Sequence, residues 1–296
     1  MEARAIGHFG GVSRFLRVVL QHRGVDNRLA VLGRFVVRQT HKRVVGTPLI
    51  VRWEGMQLTV APDSTSAAAA YYFGRPDWWE FDFIERFLRP ADAVIDIGAN
   101  VGVYALFMAK LVGREGRVIA CEPDPDNAAA LRENLTRNRF TQVEVAEVAV
   151  GDHEGSVGFM AGRRTQSRIA GQAEHGGLTA RLTTIDALCR EHAPIFAKVD
   201  VEGFEDGVVR GARGLMQRGL PKVWQLEVDP GRVEQAARLT AALAEFGYRS
   251  FAWEPDAETL RPCDLGRLGG NNLLAIADLD FVTARVTRPR AGHGCT

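Results

Sequence analysis

An acid and two glycines stand at the end of a strongly apolar stretch, within residues 94–104. Ala93 to Ile97 is apolar and β-branched apart from Asp96, a pattern typical of a strand covered on both faces of a parallel sheet. Gly98 and Gly102 leave the backbone free of side chains where the chain must turn into the next helix. The stretch therefore predicts a turn that approaches a ligand closely.

The spacing of these glycines differs from that of a dinucleotide-binding turn. When Gly98 is aligned with the first glycine of the Gly-x-Gly-x-x-Gly pattern, Asn100 and Val103 occupy the other two glycine positions. The sequence thus disfavours a nicotinamide dinucleotide. A strand-to-helix turn without any ligand is the remaining alternative at this point.

A second acid ends the next predicted strand. Residues 117–122 are apolar after Arg117 and close with Glu122, about 20 residues past the glycine turn, where a carboxylate commonly binds ribose hydroxyls. Asp124 and Pro125 then form a helix start, with a capping side chain and a proline in the first turn. The alternative is that Glu122 is simply a charge in the first turn of that helix.

A third group of acids follows the apolar stretch 194–199. Asp200 ends this predicted strand and Glu202 lies in the turn after it, whereas Glu205 begins the next helix, where an acid suits the helix dipole. Ligands of open α/β sheets bind at the carboxyl ends of the strands. Asp96, Asp200 and Glu202 should therefore meet in one crevice, although Glu202 could instead only cap the helix.

Composition limits the classes of protein. The chain has 296 residues, 46% hydrophobic and 25% charged, with a formal net charge of +1, which gives no general electrostatic case for nucleic acid. Four cysteines without Cys-x-x-Cys spacing predict reduced thiols and no zinc site. Because neither a signal-peptide pattern nor a membrane-spanning apolar run is present, a cytoplasmic protein is expected.

We expect four regions: a basic N-terminal extension (1–46), a hairpin with an aromatic lead-in helix (47–90), the main α/β domain (91–280) and a loose basic tail (281–296). The extension holds Arg14, Arg17, Arg23, Arg28, Arg34, Arg38, Lys42 and Arg43 against Glu2 and Asp26. Either it docks on a partner or an anionic surface, or it forms helices packed on the main domain with a solvated basic side. The aromatic cluster at 71–81 is either core or a lid.

The middle of the main domain carries less pronounced signals. A single strand is predicted over Val143–Val150, followed by a hairpin or loop from Gly155 to Gly177. Ser167, Arg168 and His175 lie in that loop, where they could reach a substrate or simply be solvated.

The motifs and their order along the chain resemble the FkbM family of methyltransferases. In chain order they are Asp96-x-Gly98-Ala99-Asn100-x-Gly102, Glu122-Pro123, Ala149-x-Gly151-Asp152, Thr184-Ile185-Asp186 and Lys198-x-Asp200-x-Glu202-Gly203-x-Glu205. The resemblance covers roughly residues 72–277. It implies an α/β fold with the Rossmann-like class I methyltransferase sheet of seven strands, the last one, Asn272–Ala277, antiparallel. An N-terminal helical and hairpin extension would precede that sheet.

The resemblance also implies S-adenosylmethionine as the methyl donor and a hydroxyl of a sugar, polysaccharide unit or natural product as the acceptor. Asp96, Gly98, Asn100 and Gly102 would hold the methionine end of the donor. Glu122 would hold its ribose. Asp200 and Glu202 would lie beside the methyl group as catalytic residues. The donor has no phosphate groups and carries a sulfonium, so an acidic strand end suits it.

Three alternatives stay open from the sequence. Asp200 and Glu227, at the ends of neighbouring strands, could bind Mg²⁺ and make a hydroxyl more acidic, or could only hydrogen-bond a sugar. A methyltransferase of the same fold could act on nucleic acid or protein, although the motif typical of base methylation is replaced by Asp200-Val201-Glu202-Gly203. A non-catalytic nucleotide-binding protein is the third, and the retained acids weigh against it.

Overall fold

The structure is a computed structural model that describes residues 12–22, 24–25, 27–160, 168–169, 178–201, 203–228, 233–263 and 272–287. Its strands are β1 Leu49–Trp53, β2 Met56–Val60, β3 Ala93–Ile97, β4 Arg117–Cys121, β5 Val143–Ala146, β6 Ala149–Val150, β7 Gly155–Met160, β8 Arg168–Ile169, β9 Leu178–Thr183, β10 Phe196–Val199, β11 Val223–Glu227, β12 Arg249–Glu254, β13 Thr259–Pro262 and β14 Asn272–Ile276. Its helices are α1 Val12–Gln21, α2 Arg28–Val44, α3 Ser66–Phe73, α4 Trp78–Phe87, α5 Val103–Val112, α6 Pro125–Asn138, α7 Ile185–Leu188, α8 Glu205–Arg210, α9 Arg213–Gln217, α10 Val233–Ala244 and α11 Leu279–Val286.

The main sheet has the strand order β5-β4-β3-β10-β11-β14-β12-β13. Strands β3, β4, β5, β10 and β11 pair in parallel, and β14 runs antiparallel between β11 and β12. This confirms the predicted Rossmann-like sheet with its antiparallel strand. One strand is added, because β13 pairs antiparallel with β12 at the edge and makes eight strands among the described residues.

Successive residues of the central strands enter different hydrophobic cores, as the two-residue period of a strand requires. Val94, Val118 and Phe196 belong to the core on one side of the sheet. Ile95 and Ile119, their neighbours, belong to the core on the other side. Both sides are therefore covered, which explains why these strands are apolar throughout.

The predicted single strand Val143–Val150 is wrong in its extent. Val143–Ala146 pairs with β4, whereas Ala149–Val150 pairs with β9 in a second sheet of order β6-β9-β7-β8. The amide of Val148 donates to the carbonyl of Ala146 at 2.9 Å, which closes a three-residue turn. This turn redirects the chain between the two sheets.

The N-terminal helices contribute to the same core as the main domain. Phe15, Val19 and Val31 are buried in the cluster that includes Phe107 of α5. The described helices α1 and α2 are thus packed on the main domain, which was one of the two alternatives for the extension. No helix in the described part of the chain is long and apolar enough to cross a membrane.

The side chain of Arg38 in α2 is buried and holds the segment that leads into α3. Its guanidinium donates to the hydroxyl of Tyr72 at 3.0 Å and to the carbonyl oxygens of Pro62 at 3.1 Å and Ser64 at 3.2 Å. A buried guanidinium needs such acceptors, because an unsatisfied charge away from water is very costly. Arg38 therefore fixes the start of α3 against the N-terminal helices.

The aromatic cluster at 71–81 is mainly core. Tyr72, Phe73 and Phe81 are buried, so the core interpretation holds for them. The residues between these aromatic side chains, Pro76, Asp77 and Glu80, line the cleft described below.

The first part of the expected loose tail (281–296) is packed, and residues 288–296 lie outside the described residues. Residues 281–286 complete helix α11, in which Val282 and Val286 are buried. The guanidinium of Arg285 pairs with Asp92 at 3.1 Å. The periodic apolar residues of this helix outweighed its basic character in deciding its structure.

Candidate active site

One cleft lies at the carboxyl ends of the central parallel strands and is lined by Asp96, Gly98, Asn100, Glu122, Asp200 and Glu227, among others. These predicted site residues come from four strands that pair in the order β4-β3-β10-β11. Parallel strands end at the same edge of a sheet, and this edge is where ligands of open α/β folds bind. Asp96 and Asp200 therefore meet in one cleft as predicted, whereas Glu202, the third acid of that prediction, lies outside the described residues.

Two backbone hydrogen bonds hold the glycine turn in place. The amide of Gly98 donates to the carbonyl of Cys121 at 2.9 Å, and the amide of Asp200 donates to the carbonyl of Ile97 at the same distance. Gly98 has φ of 84° and Asn100 has φ of 51°, both in the left-handed region that favours glycine and tolerates asparagine. A Cβ on Gly98 would overlap the carbonyl oxygen of Asp200.

Gly102 does not line the cleft and has a structural role instead. It precedes α5 with φ of 95°, and a Cβ there would overlap the side chain of Leu131 in α6. The second glycine of the motif thus lets the chain at the start of α5 lie against Leu131 of α6.

Glu122 is buried and held from three directions. The amide of Asn100 donates to Oε2 at 2.8 Å, and the amide of Asp124 donates to Oε1 at 3.0 Å. Asn127 Nδ2 donates to Oε1 at 3.4 Å. Burial raises the pKa of Glu122 to about 7, against the lowering effect of these donors. The carboxylate is therefore fixed beside the glycine turn, and Oε2, which accepts one hydrogen bond, keeps a lone pair for a further donor.

Asp96 lies at the floor of the cleft and is fully buried. Neither carboxylate oxygen makes a hydrogen bond of normal geometry among the described residues, and the backbone amide of Ala105 contributes only a weak one. Burial raises its pKa to about 6, while the nearby ammonium of Lys198 opposes this and Asp200 adds to it. A buried acceptor without a strong donor marks a place where a cationic or hydrogen-donating group of a ligand would be stabilised.

Lys198 is a buried cation between acids. Its ammonium lies 3.2 Å from Asp200 Oδ2 and 4.3 Å from the ring centre of Tyr104. Burial alone would lower the pKa of Lys198, but Asp200, Asp96 and Glu80 together raise it above its ordinary value. Lys198 is therefore protonated at neutral pH and stabilises the ionised form of Asp200.

A buried polar network extends from α4 to the cleft. The hydroxyl of Tyr104 lies 2.7 Å from Glu80 Oε2, to which it donates, and 3.2 Å from Asp77 Oδ2. Gln225 and Asn272 also donate to the carboxylate of Glu80. Burial, followed by the charge of Asp77, raises the pKa of Glu80 well above its ordinary value.

The sequence patterns that indicate the site do not include this network. Glu80 lies among the aromatic residues of α4, and Lys198 lies within an otherwise apolar strand. A charged residue inside an apolar pattern is a signal that could have found them, since charges are buried only with partners.

Charge distinguishes this cleft from a phosphate site. Asp77, Glu80, Asp96, Glu122, Asp200 and Glu227 line it, and Lys198 is the only basic lining residue in the described ranges. An anionic phosphate would meet several carboxylates there, whereas a cation would be attracted. The cleft therefore suits a positively charged ligand.

The magnesium alternative is not supported. Within the residues that the structure describes, no group of three or more His, Cys, Asp or Glu side chains could hold a metal ion. Asp200, one of the two expected ligands, pairs with the ammonium of Lys198, which opposes a second cation at that carboxylate.

Three residues named as candidates from the sequence, Glu202, Ser167 and His175, lie outside the described residues. The same holds for the side chain of Arg168. The catalytic role expected for Glu202 therefore stays a prediction.

A family model described as the methyltransferase FkbM domain matches residues 96–250, slightly more than half of the chain. The chain belongs to the FkbM family of methyltransferases. It is 32% identical over 173 residues to the 31-O-demethyl-FK506 methyltransferase FkbM of Streptomyces tacrolimicus, covering 53% of this chain and 61% of that relative. A protein-L-isoaspartate O-methyltransferase of Aeropyrum pernix is 41% identical over 71 residues, or 24% of this chain and 26% of the relative. The chain thus spans about three fifths or less of these relatives.

Solved structures of methyltransferases are also similar at low identity. A methyltransferase of Streptococcus mutans in complex with SAH has 11% identity and a TM-score of 0.42, covering 68% of this chain and 98% of that one. An S-adenosylmethionine-dependent O-methyltransferase of Thermotoga maritima has 17% identity and a TM-score of 0.40, covering 77% and 76%.

Proposed function

We propose that this protein transfers a methyl group from S-adenosylmethionine to a hydroxyl of a sugar, polysaccharide unit or natural product. The observation that carries this proposal is the acidic cleft around the glycine turn, with six carboxylates against the ammonium of Lys198. S-adenosylmethionine has a sulfonium, an ammonium and a ribose diol but no phosphate, so this charge suits it. The family membership agrees with the same donor.

The residues present fit this donor by three tests. Asp96 offers two buried oxygens without a hydrogen bond of normal geometry in the described ranges, which suits an ammonium or another donor group. Glu122 is fixed by backbone amides and keeps acceptor capacity for ribose hydroxyls. The turn at Gly98 packs against the carbonyl oxygen of Asp200 with no room for a Cβ, which fixes the backbone on this side of the cleft.

When bound, S-adenosylmethionine supplies an electrophilic methyl group on sulfur. The protein must align the acceptor oxygen with that carbon and take the hydroxyl proton. Asp200 lies at the cleft with Lys198 holding its carboxylate, so it would orient the acceptor hydroxyl by accepting its hydrogen bond. Glu202, two residues further along the chain, would be the base, on the reasoning from the sequence.

Two measurements test this function. Calorimetry should show binding of S-adenosylmethionine and of its demethylated product, and no comparable binding of NADH. Incubation with methyl-labelled donor and fractionated extracts, followed by mass spectrometry, should place the label on a hydroxyl of a glycan or small molecule. Absence of donor binding would end the proposal, whereas label in RNA or protein would keep the donor and replace the acceptor class.

A further inference from the structure

The second helix, α2, presents an apolar stripe away from the protein core. Leu29, Val36, Val37 and Val44 are exposed, with Leu29 at 79% and Val36 at 61% of full exposure. Gly33 lies between them in sequence, and a Cβ there would meet nothing within 4 Å. These positions recur at helical spacing, on the side of the helix opposite the buried residues Val31 and Arg38.

The first helix extends this apolar surface. Leu16 and Leu20 of α1 are exposed, four residues apart and therefore on one side of that helix. The guanidinium of Arg28 donates to the carbonyl of Leu20 at 3.1 Å, which brings the end of α1 to the start of α2 beside Leu29. We call the exposed set Leu16, Leu20, Leu29, Val36, Val37 and Val44 the α1–α2 surface.

The charge around this surface has one sign. Arg17, Arg28 and Arg43 are exposed beside this surface on the same two helices, whereas Arg34 and Lys42 lie toward the packed side of α2, where Arg34 donates to the carbonyl of Tyr72. Glu2 and Asp26 are the acids between residue 1 and residue 53. A second copy of the chain would bring like charges together, which opposes self-association through this surface. Apolar residues next to basic ones are instead the pattern of helices that lie on anionic membranes.

We propose that the α1–α2 surface docks on an anionic membrane surface, with its apolar side chains at the boundary between headgroups and acyl chains. The basic side chains then contact the lipid phosphates. The surface lies outside the family match at 96–250 and does not depend on the methyl donor. The inference therefore concerns where the enzyme works, and it fails or stands independently of the proposed activity.

Co-flotation of the full chain with lipid vesicles tests this inference. We expect binding to phosphatidylcholine vesicles that contain phosphatidylglycerol, weaker binding to vesicles of phosphatidylcholine alone, and loss of binding as salt is raised. Val36→Glu should lower the partition coefficient at least about tenfold, because it removes apolar burial and adds repulsion. Arg43→Ala should lower it about fivefold.

Leu178→Glu is the matched control, since Leu178 is 46% exposed on β9 of the second sheet. It should leave vesicle binding unchanged, and thermal unfolding should show that all variants remain folded. No binding to anionic vesicles, equal binding to both kinds of vesicle, or an equal loss in Leu178→Glu would overturn the proposal. A dimer in sedimentation that Val36→Glu converts into a monomer would assign the surface to a second copy instead.

Discussion

The α-carbon of Gly98 lies so close to the carbonyl oxygen of Asp200 that a side chain on Gly98 would overlap it. Gly98 belongs to the turn that forms one side of the cleft. Asp200, a candidate catalytic acid, stands at the end of strand β10. Because the amide of Asp200 also donates to the carbonyl of Ile97, the two motifs are fixed to one another through backbone atoms. Their separation is therefore set by the sheet and not by flexible side chains.

We expect Gly98→Ala to lower the free energy of unfolding by more than about 2 kcal/mol, because it combines a left-handed φ with a backbone overlap. Donor affinity of the folded fraction should fall as well. Urea unfolding and calorimetry measure the two effects. Gly158→Ala, at a strand position with open space around the Cβ, should change both much less. Equal stability of the two variants would contradict the described packing.

Glu122→Ala should weaken binding of S-adenosylmethionine by about 1.5–3 kcal/mol, the range for hydrogen bonds to a charged group. The matched control is Glu144→Ala, which removes an exposed carboxylate paired with Arg117 on the neighbouring strands. Calorimetry should find the donor affinity of that control unchanged. If both variants lose affinity equally, Glu122 does not contact the donor.

The pH dependence of donor binding gives a separate test of Glu122. Its pKa in the free protein is raised to about 7 by burial, and ribose hydroxyls donate more strongly to the ionised carboxylate. Affinity should therefore fall as pH is lowered through 7 and become nearly constant above it. Glu122→Ala should lose this part of the pH profile, which calorimetry over a pH series can show.

Asp96→Asn should increase stability at alkaline pH while weakening donor binding. Burial raises the pKa of Asp96 in the folded protein to about 6, above its ordinary value of 3.8. An acid with a raised pKa contributes stability that is present at low pH and is lost as pH rises from about 4 to about 6. The stability of the variant relative to the parent should thus rise by about 3 kcal/mol across that window.

Thermal and urea unfolding over pH measure this difference, with Asp126→Asn on an exposed residue as the control. If the free energy of unfolding changes with pH in the same way for Asp96→Asn and the parent protein, the carboxylate of Asp96 is not buried in ionised form.

Asp200→Asn and Glu202→Gln should each lower turnover by about 10²–10⁴-fold, as expected when a group that takes or directs a proton is removed. Donor affinity should fall much less than turnover, since neither residue is assigned a direct hydrogen bond to the donor. Glu234→Gln, on an exposed residue of α10, provides the control. Near-normal turnover of Glu202→Gln on the true acceptor would leave Asp200 as the base.

Much of this site could be predicted because its residues end regular strands. Asp96, Glu122 and Asp200 each follow an apolar stretch, and the carboxyl edge of a parallel sheet must bring them together. Glu80 could not be found in this way, since α4 precedes the main domain and reaches the cleft only through tertiary packing. Gln225 and Asn272, which hold Glu80, likewise meet it from distant parts of the chain.

Ala149–Val150 shows a second limit of prediction. Its apolar pattern continues that of Val143–Ala146, so periodicity joins the two, whereas a single turn at Val148 sends them to different sheets. Local propensity does not decide such a turn, because the partner strand Leu178–Thr183 lies far along the chain.

Arg38 shows that a basic segment need not be a solvated surface. Arg38→Met should lower the free energy of unfolding by about 2–4 kcal/mol, because the hydroxyl of Tyr72 and the carbonyls of Pro62 and Ser64 lose their buried donor. Arg43→Met, on an exposed residue of the same helix, should have an effect within about 0.5 kcal/mol. Equal effects in urea unfolding would show that Arg38 is not buried in solution.

The place of β14 in the sheet matters during protein synthesis. This strand lies between β11 and β12, yet both of these leave the ribosome before it. Until residue 276 has emerged, the facing edges of β11 and β12 have no strand between them, and such open edges invite pairing with other chains. A released chain that ends between residues 254 and 272 should therefore need chaperone protection, whereas one that ends soon after residue 276 has the strand that fills the gap.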